Sequence, residues 1–127
     1  MAQGYFDQRG KVPPVVSGVE LVPGLFNETL PKFLSQHRGT ISFANVDNDL
    51  YDGAVYILKH IIPQLRSNSV LHFHELLRWQ PDGTCSGHDE LRALFDVLSV
   101  HRHLQLELLP VRGGNPEPVL LRVLGRV

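Results

Sequence analysis

The sequence predicts an α/β fold in which a mostly parallel sheet ends in an antiparallel hairpin and is flanked by helices. The strongest observation is the alternation of apolar strand-like runs and an amphipathic run between residues 40 and 75, which is typical of a βαβ unit. A second observation is a pair of C-terminal strand-like runs around the turn Gly113 to Pro116, which predicts a hairpin. The 127 residues have the size of one domain covering the whole chain.

Composition and charge exclude several classes of protein. Hydrophobic residues make up 43% and charged residues 20% of the chain, which is ordinary for a soluble globular domain. The formal charge of -1 and the dispersed arginines predict no nucleic-acid partner. No apolar run approaches the ~20 residues that span a bilayer, and no leader follows Met1, so we expect no membrane partner. The single cysteine, Cys85, is interpreted as a bystander thiol and fits the reducing cytoplasm.

The N-terminal part is expected to be irregular at first and then to form a strand and a helix. Residues 1–18 combine Gly, Pro and polar residues without a sustained period, which predicts an irregular lead-in. Val19 to Val22 predicts a short strand that stops at Pro23. Asn27 and Thr29 can accept hydrogen bonds from the first backbone amides of a helix, which is then expected to run to about His37.

The central βαβ unit is the clearest structural signal. Thr40 to Val46 predicts an apolar strand buried on both faces, and Asp52 is a plausible cap for the helix that follows. Pro63 predicts a kink or an early end, because proline removes one helix hydrogen bond. The helix carries apolar residues at helical spacing, which predict its buried face: Ala54, Leu58, Ile61, Ile62 and Leu65.

The second half continues with a strand, a loop, a helix and the hairpin. Ser69 to Phe73 predicts the second strand, and the segment from Leu76 to Gly87 predicts a loop long enough to cover a site. Ser86 is a plausible cap for the next helix. The predicted buried faces of this helix and of the following strand consist of apolar residues: Leu91, Leu94, Phe95 and Leu98 for the helix, and Leu104, Leu106 and Leu108 for the strand. Pro118 to Leu124 predicts the last strand.

Polar side chains follow both strands of the βαβ unit. Asp47 and Asp49 come after the first strand, and His74 and Glu75 come after the second. Because the carboxyl ends of parallel strands meet at one edge of a sheet, and ligands bind there in open α/β folds, these four residues define the candidate site.

Two motifs of the chain resemble the macrocin-type O-methyltransferase family, which uses S-adenosylmethionine (SAM). They are Gly24-Leu-Phe-Asn-Glu-Thr-Leu-Pro31 and Asp47-Asn-Asp-Leu-Tyr51, and they are supported by the run Val70 to Glu75. The resemblance implies a truncated Rossmann-like methyltransferase sheet, matching only the C-terminal part of such an enzyme. It also implies methyl transfer to the hydroxyl of a small-molecule acceptor.

The resemblance also implies roles for individual residues. Asp47, His74 and Glu75 would hold a divalent metal, Mg²⁺ in the family, and Asp49 would be the catalytic base. The histidine stands where the family has an acid, and imidazole suits Zn, Mn or Ni better than Mg. The stretch Gly24, Leu25 and Phe26 lies where the family's adenine pocket would be and would contact the cofactor. Tyr51 and Trp79 are candidates to line a substrate cleft, and the alternative for all of these residues is ordinary packing.

The first two strands of the family and their Gly-rich turn have no counterpart in the sequence. No G-x-G-x-x-G occurs, so we expect the isolated chain to be inactive, and the alternative is a non-catalytic interaction module. Without those strands, Thr40 to Val46 would become an edge with unpaired backbone groups, which predicts a homodimer or a complex through that edge.

A zinc cluster is a second interpretation of four histidines: His60, His72, His74 and His88. Their spacing fits no compact zinc module. Scattered surface or core histidines are therefore the favoured interpretation.

Overall fold

The computed structural model describes residues 9–74, 76–79, 81–87, 89–110 and 118–126. Three α-helices and six strands occur in these ranges. In chain order they are α1 (Phe26–Gln36), β1 (Ile41–Val46), α2 (Tyr51–Ile61), β2 (Leu65–Phe73), β3 (Leu77–Trp79), β4 (Cys85–Gly87), α3 (Asp89–Val100), β5 (Leu104–Leu109) and β6 (Val119–Arg126). None of these helices is long and apolar enough to cross a lipid bilayer.

Four strands form a mixed sheet in the order β1-β2-β6-β5. The strands β1 and β2 are parallel, whereas β6 is antiparallel to both β2 and β5. The predicted α/β class, with its βαβ unit and C-terminal hairpin, is confirmed as one parallel pair followed by antiparallel strands. In the described sheet, β1 pairs only with β2 and forms one edge, as the sequence predicted.

The helix α2 packs its predicted stripe into the core. All five stripe residues, from Ala54 to Leu65, are buried. The α-helix ends at Ile61, and a 3-10 turn over Ile62–Gln64 follows, so the early end predicted from Pro63 is confirmed. Asp52 is wrong as the cap, because Leu50 occupies the N-cap position and Asp52 lies in the first turn.

One face of the sheet is buried and the opposite face is only partly covered. Along β2, Ser69, Leu71 and Phe73 are buried, whereas the intervening Val70 and His72 are half-buried. The prediction that β1 is buried on both faces is wrong. Only Val46 of this strand is buried, and Phe43 is 59% exposed, because the described residues place no second layer over that face.

The N-terminal segment corrects two predictions. Residues 19–22 form no strand, so the strand predicted at Val19 to Val22 is wrong. The first residue of α1 is Phe26, and the residue before it makes no capping bond through its side chain. The Thr29 hydroxyl instead donates to the Leu25 carbonyl oxygen. Several apolar side chains of this segment stay exposed, including Val19, Leu21 and Leu25.

The second half differs from prediction in three details. The segment predicted as a covering loop contains the small hairpin β3-β4. The apolar face of α3 is rotated, because Ala93, Leu94 and Val97 are buried whereas Phe95 is 64% exposed. On β5, Leu104 is buried but Leu108 is exposed, because β5 is the other edge strand and the described helices do not cover it fully.

Candidate functional site at the tips of β1 and β2

The register of the parallel pair brings the two predicted strand tips together. Val46 is the partner of Phe73, so Asp47 and His74, which follow them, begin at adjacent points of the sheet. Both side chains are exposed. Glu75 lies outside the described residues. The structure therefore supports the predicted meeting of the two tips for Asp47 and His74.

The turn after β1 has a defined hydrogen-bonded conformation. The amide of Leu50 donates to the Asn48 carbonyl oxygen at 2.7 Å, and the Asn48 side chain donates to the Leu50 carbonyl oxygen at 3.3 Å. Asp49 adopts a φ of +60°, a left-handed conformation that Asp tolerates better than most residues. The turn is thus closed on itself, and the side chain of Asp49 is exposed to solvent.

A cleft with a volume of about 310 Å³ opens beside this turn. It is lined by Phe26 of α1, by residues 48 and 50–53, and by Asp89 of α3. The two predicted motifs, one at the start of α1 and one after β1, therefore meet at one concave surface. Asp47 and Asp49 do not line the cleft themselves, but they flank Asn48, which does.

Tyr51 lines the cleft, and two side chains of α3 contact its hydroxyl and its ring. Its hydroxyl donates to Asp96 Oδ2 at 2.7 Å, and the Arg92 guanidinium lies over its ring at 4.6 Å from the centroid. This hydrogen bond to Asp96 raises the pKa of the Tyr51 hydroxyl, because the bond stabilises the neutral phenol. Tyr51, one of the two residues expected to line a substrate cleft, lies in this cleft, whereas the side chain of Trp79 lies outside what the structure describes.

The predicted cofactor contact, Gly24 to Phe26, forms the entry to α1. Gly24 has a φ of +132°, a region that only glycine adopts readily. Leu25 is exposed, and Phe26 is 43% exposed with its ring 6.0 Å from that of Tyr56. The entry to α1 thus leaves one aromatic and one aliphatic side chain accessible.

The predicted metal ligands do not form a complete site within the described residues. No three described His, Cys, Asp or Glu side chains lie close enough together to hold an ion. Two of the predicted ligands, Asp47 and His74, lie at adjacent strand tips, and the third, Glu75, is outside the described ranges. The described residues thus supply two of the three predicted donors, and we derive no chemical step through a metal.

The histidines considered for zinc are bonded separately where they are described. His60 Nδ1 lies 2.8 Å from the Tyr56 carbonyl oxygen, and His72 Nδ1 lies 2.6 Å from Asn45 Oδ1. The favoured interpretation, scattered histidines, agrees with these local contacts. His88 lies outside the described residues.

Sequence reasoning missed two carboxylates of α3. Asp96 holds Tyr51, and the buried Glu90 accepts a hydrogen bond from the Asn48 amide at 3.3 Å. Glu90 stands at i, i+3, i+4 and i+7 spacing with the buried Ala93, Leu94 and Val97. A charged residue inside that spacing is the signal that would have found it, because carboxylates are almost never buried without partners.

Solved structures of O-methyltransferases are similar to this chain in fold and in sequence. The apo structure of CalS11, a TDP-rhamnose 3'-O-methyltransferase of calicheamicin biosynthesis, is 34% identical over 80% of this chain, with a TM-score of 0.59. A crystal structure described as the calicheamicin methyltransferase CalS11 is also 34% identical over 80% of the chain, with a TM-score of 0.58. No protein-family model and no curated protein sequence matches.

The chain therefore has an O-methyltransferase-like α/β fold. It spans 40% of one CalS11 chain and 36% of the other, which is less than half of either neighbour's length.

Proposed function

We propose that the chain is the acceptor-side half of a SAM-dependent O-methyltransferase and that it transfers methyl groups only when a SAM-binding half completes it. The observation that carries the proposal is that the two motifs meet at one cleft. The chain that contains them is 34% identical in sequence to CalS11 over 80% of its length. The resemblance to the macrocin-type family belongs to the same proposal.

In this proposal Asp49 is the general base. Bound SAM would supply an electrophilic methyl group on its sulfonium sulfur. The acceptor hydroxyl oxygen would receive that methyl group as the carbon–sulfur bond breaks, and S-adenosylhomocysteine would be the leaving group. Asp49 takes the hydroxyl proton, and an exposed carboxylate at the rim of a cleft is suited to that role. A sugar hydroxyl is the first acceptor to consider, because CalS11 is a TDP-rhamnose 3'-O-methyltransferase.

The cofactor contact rests on the entry to α1. Gly24, Leu25 and Phe26 would place their apolar surface against the adenine ring. The sequence has no Gly-rich turn for the methionine part of SAM, and a completing half would have to supply it. This division of the cofactor site is the reason for expecting no transfer by the chain alone.

A divalent cation is a secondary part of the proposal. Asp47, His74 and Glu75 would be its ligands, with Mg²⁺ disfavoured by the imidazole. Titration with Mn²⁺ tests this, because a bound paramagnetic ion broadens the NMR signals of residues 46–47 and 73–74 selectively. Uniform or absent broadening would remove the metal from the proposal.

The alternative function is a non-catalytic interaction module. The open edge of β1, together with the exposed Phe43 beside it, favours this candidate, because such an edge pairs readily with another strand. It predicts assembly without any affinity for SAM in the assembled state.

Methyl transfer to TDP-rhamnose separates the two candidates. The chain is mixed with the part of CalS11 that it does not match, with radiolabelled SAM as donor. We expect transfer that falls about 10²- to 10⁴-fold in Asp49→Asn and is unchanged in Glu107→Gln, which alters a carboxylate at the far edge of the sheet. Transfer that is unaffected by Asp49→Asn would contradict the proposed base.

A further inference from the structure

Glu90 is almost completely buried although it is a carboxylate. It is 1% exposed and stands in the first turn of α3, next to the exposed Asp89. Burying a charge is expensive unless hydrogen bonds offset the lost hydration. The position of this side chain therefore calls for a structural reason that an exposed helix carboxylate would not need.

The side chain reaches the turn that carries the proposed base. Glu90 Oε1 accepts a hydrogen bond from the Asn48 backbone amide at 3.3 Å, and the two residues are 42 positions apart in sequence. Asn48 stands between Asp47 and Asp49. The contact thus ties the middle of the acidic turn to a helix that packs against α2.

The turn needs such an anchor because its backbone is not in a favoured conformation. Asp49 has a φ of +60°, and a non-glycine residue in this region persists only where its surroundings hold it. The internal bonds between Asn48 and Leu50 close the turn, but they do not fix its position relative to the rest of the domain. The hydrogen bond from the Asn48 amide to Glu90 fixes that position.

The position of Asn48 is restricted from a second side. A Cβ atom on Gly53 would lie 1.8 Å from Asn48 Nδ2, so the Asn48 side chain fills the space that glycine leaves in the first turn of α2. The turn is therefore held between two elements, with Gly53 giving room on α2 and Glu90 giving a hydrogen bond from α3. This observation is independent of the Glu90 bond.

We infer that Glu90 is a positioning residue that fixes the backbone from which Asp47 and Asp49 project. The inference rests on the proposed function for the role of Asp49, but its geometric content does not. Glu90 acts through the Asn48 amide and touches no reacting atom. Glu90→Gln keeps an oxygen that can accept from the Asn48 amide and should keep the turn in place, whereas Glu90→Ala removes the acceptor.

Amide hydrogen exchange of the whole chain tests the geometric part without any activity. Exchange at Asn48 is measured relative to the amides of β2. We expect Glu90→Ala to accelerate it about tenfold relative to β2 and Glu90→Gln to restore protection. Equal acceleration at Asn48 and throughout β2, or no change at Asn48 in a folded Glu90→Ala protein, would overturn the inference.

Ser69→Ala is the matched control for a destabilised core. Ser69 is also buried, and its hydroxyl donates to the Ile41 carbonyl oxygen at 2.6 Å, at the opposite end of β1. Because Ser69 lies in β2 and its hydroxyl also accepts from the Arg66 amide, the reference for this variant is β6. We expect it to lower global stability while leaving Asn48 protection relative to β6 unchanged. Selective loss of Asn48 protection in Ser69→Ala would mean that general loosening explains the effect, and it would also overturn the inference.

In the completed enzyme, the same variants give a kinetic test. We expect Glu90→Ala to lower kcat about tenfold with little change in KM for the acceptor, and Glu90→Gln to restore kcat, since positioning affects the proton transfer more than binding. If no transfer occurs with any variant, the proposed function fails, but the exchange result still decides the role of Glu90.

Discussion

Val46 and Phe73 are register partners in the parallel pair β1-β2, and both are almost fully buried. Because the two chains leave the sheet side by side at these residues, Asp47 and His74 start from adjacent points. The candidate site thus depends on a core contact directly behind it. A change that loosens this contact affects both stability and the relative placement of the tips.

Phe73→Ala tests the contribution of that contact to stability. The ring is 0% exposed, and truncating a buried Phe costs about 3 to 5 kcal/mol. Phe43→Ala is the control, since this ring lies on the partly covered face of the sheet and its loss should cost less than about 1 kcal/mol. Urea unfolding measures both values, and a smaller loss for Phe73→Ala than for Phe43→Ala would contradict the described core.

Gly24→Ala tests the entry to α1. The glycine has a φ of +132°, and a Cβ there would lie 2.9 Å from Thr29 Cγ2. We expect a loss of about 1 to 3 kcal/mol in the free energy of unfolding, because this φ is strained for any residue with a side chain. The matched control is Gly39→Ala, since nothing lies within 4 Å of its added Cβ. Equal effects in thermal unfolding would contradict the described backbone.

The titration of Tyr51 tests its bond to Asp96. The folded-state pKa is raised above the ordinary value of 10.0, so the folded protein holds this proton more tightly than the unfolded chain. The resulting stabilisation is present below pH 10 and is lost as the pH rises through the folded-state pKa. NMR of ring-labelled tyrosine should show the pKa falling toward 10.0 in Asp96→Ala, which removes the acceptor. No change in that variant would mean that the hydrogen bond does not form in solution.

A substitution in the edge strand β1 tests the proposed assembly. Its outer backbone groups have no partner strand in the described sheet, and a lysine near such an edge disfavours pairing. We expect light scattering to show a dimer or a complex with the completing half, and Phe43→Lys to weaken it without unfolding the chain. A wild-type chain that stays monomeric and does not associate with the completing half would contradict the proposal.

The sequence predicted those features that depend on local pattern. The stripe from Ala54 to Leu65 has a clear helical period, and Pro63 marks the end of α2 by a local steric rule. The Asp47 and His74 tips follow from the alternation of strands and helix alone. These features need no knowledge of distant parts of the chain.

Other features depend on which elements lie beside each other, and the pattern does not contain that information. Val19 to Val22 has strand-like composition but finds no partner strand among the described residues, so its β-propensity is not realised. The helical spacing of Leu91, Leu94 and Leu98 puts Phe95 on the predicted buried face of α3, whereas the charged Glu90 lies outside that apolar pattern. In the structure Phe95 is exposed and Glu90 is buried. The burial of Glu90 depends on the turn at Asn48, whose amide donates a hydrogen bond to it.

Calorimetric titration of SAM tests the central claim most directly. The chain alone should give no measurable heat of binding, whereas the chain mixed with the part of CalS11 that it does not match should bind SAM more tightly than that part does alone. Micromolar binding by the chain alone would contradict the claim that its cofactor site is divided. Affinity of the mixture equal to that of the CalS11 part alone would contradict its role as half of a methyltransferase.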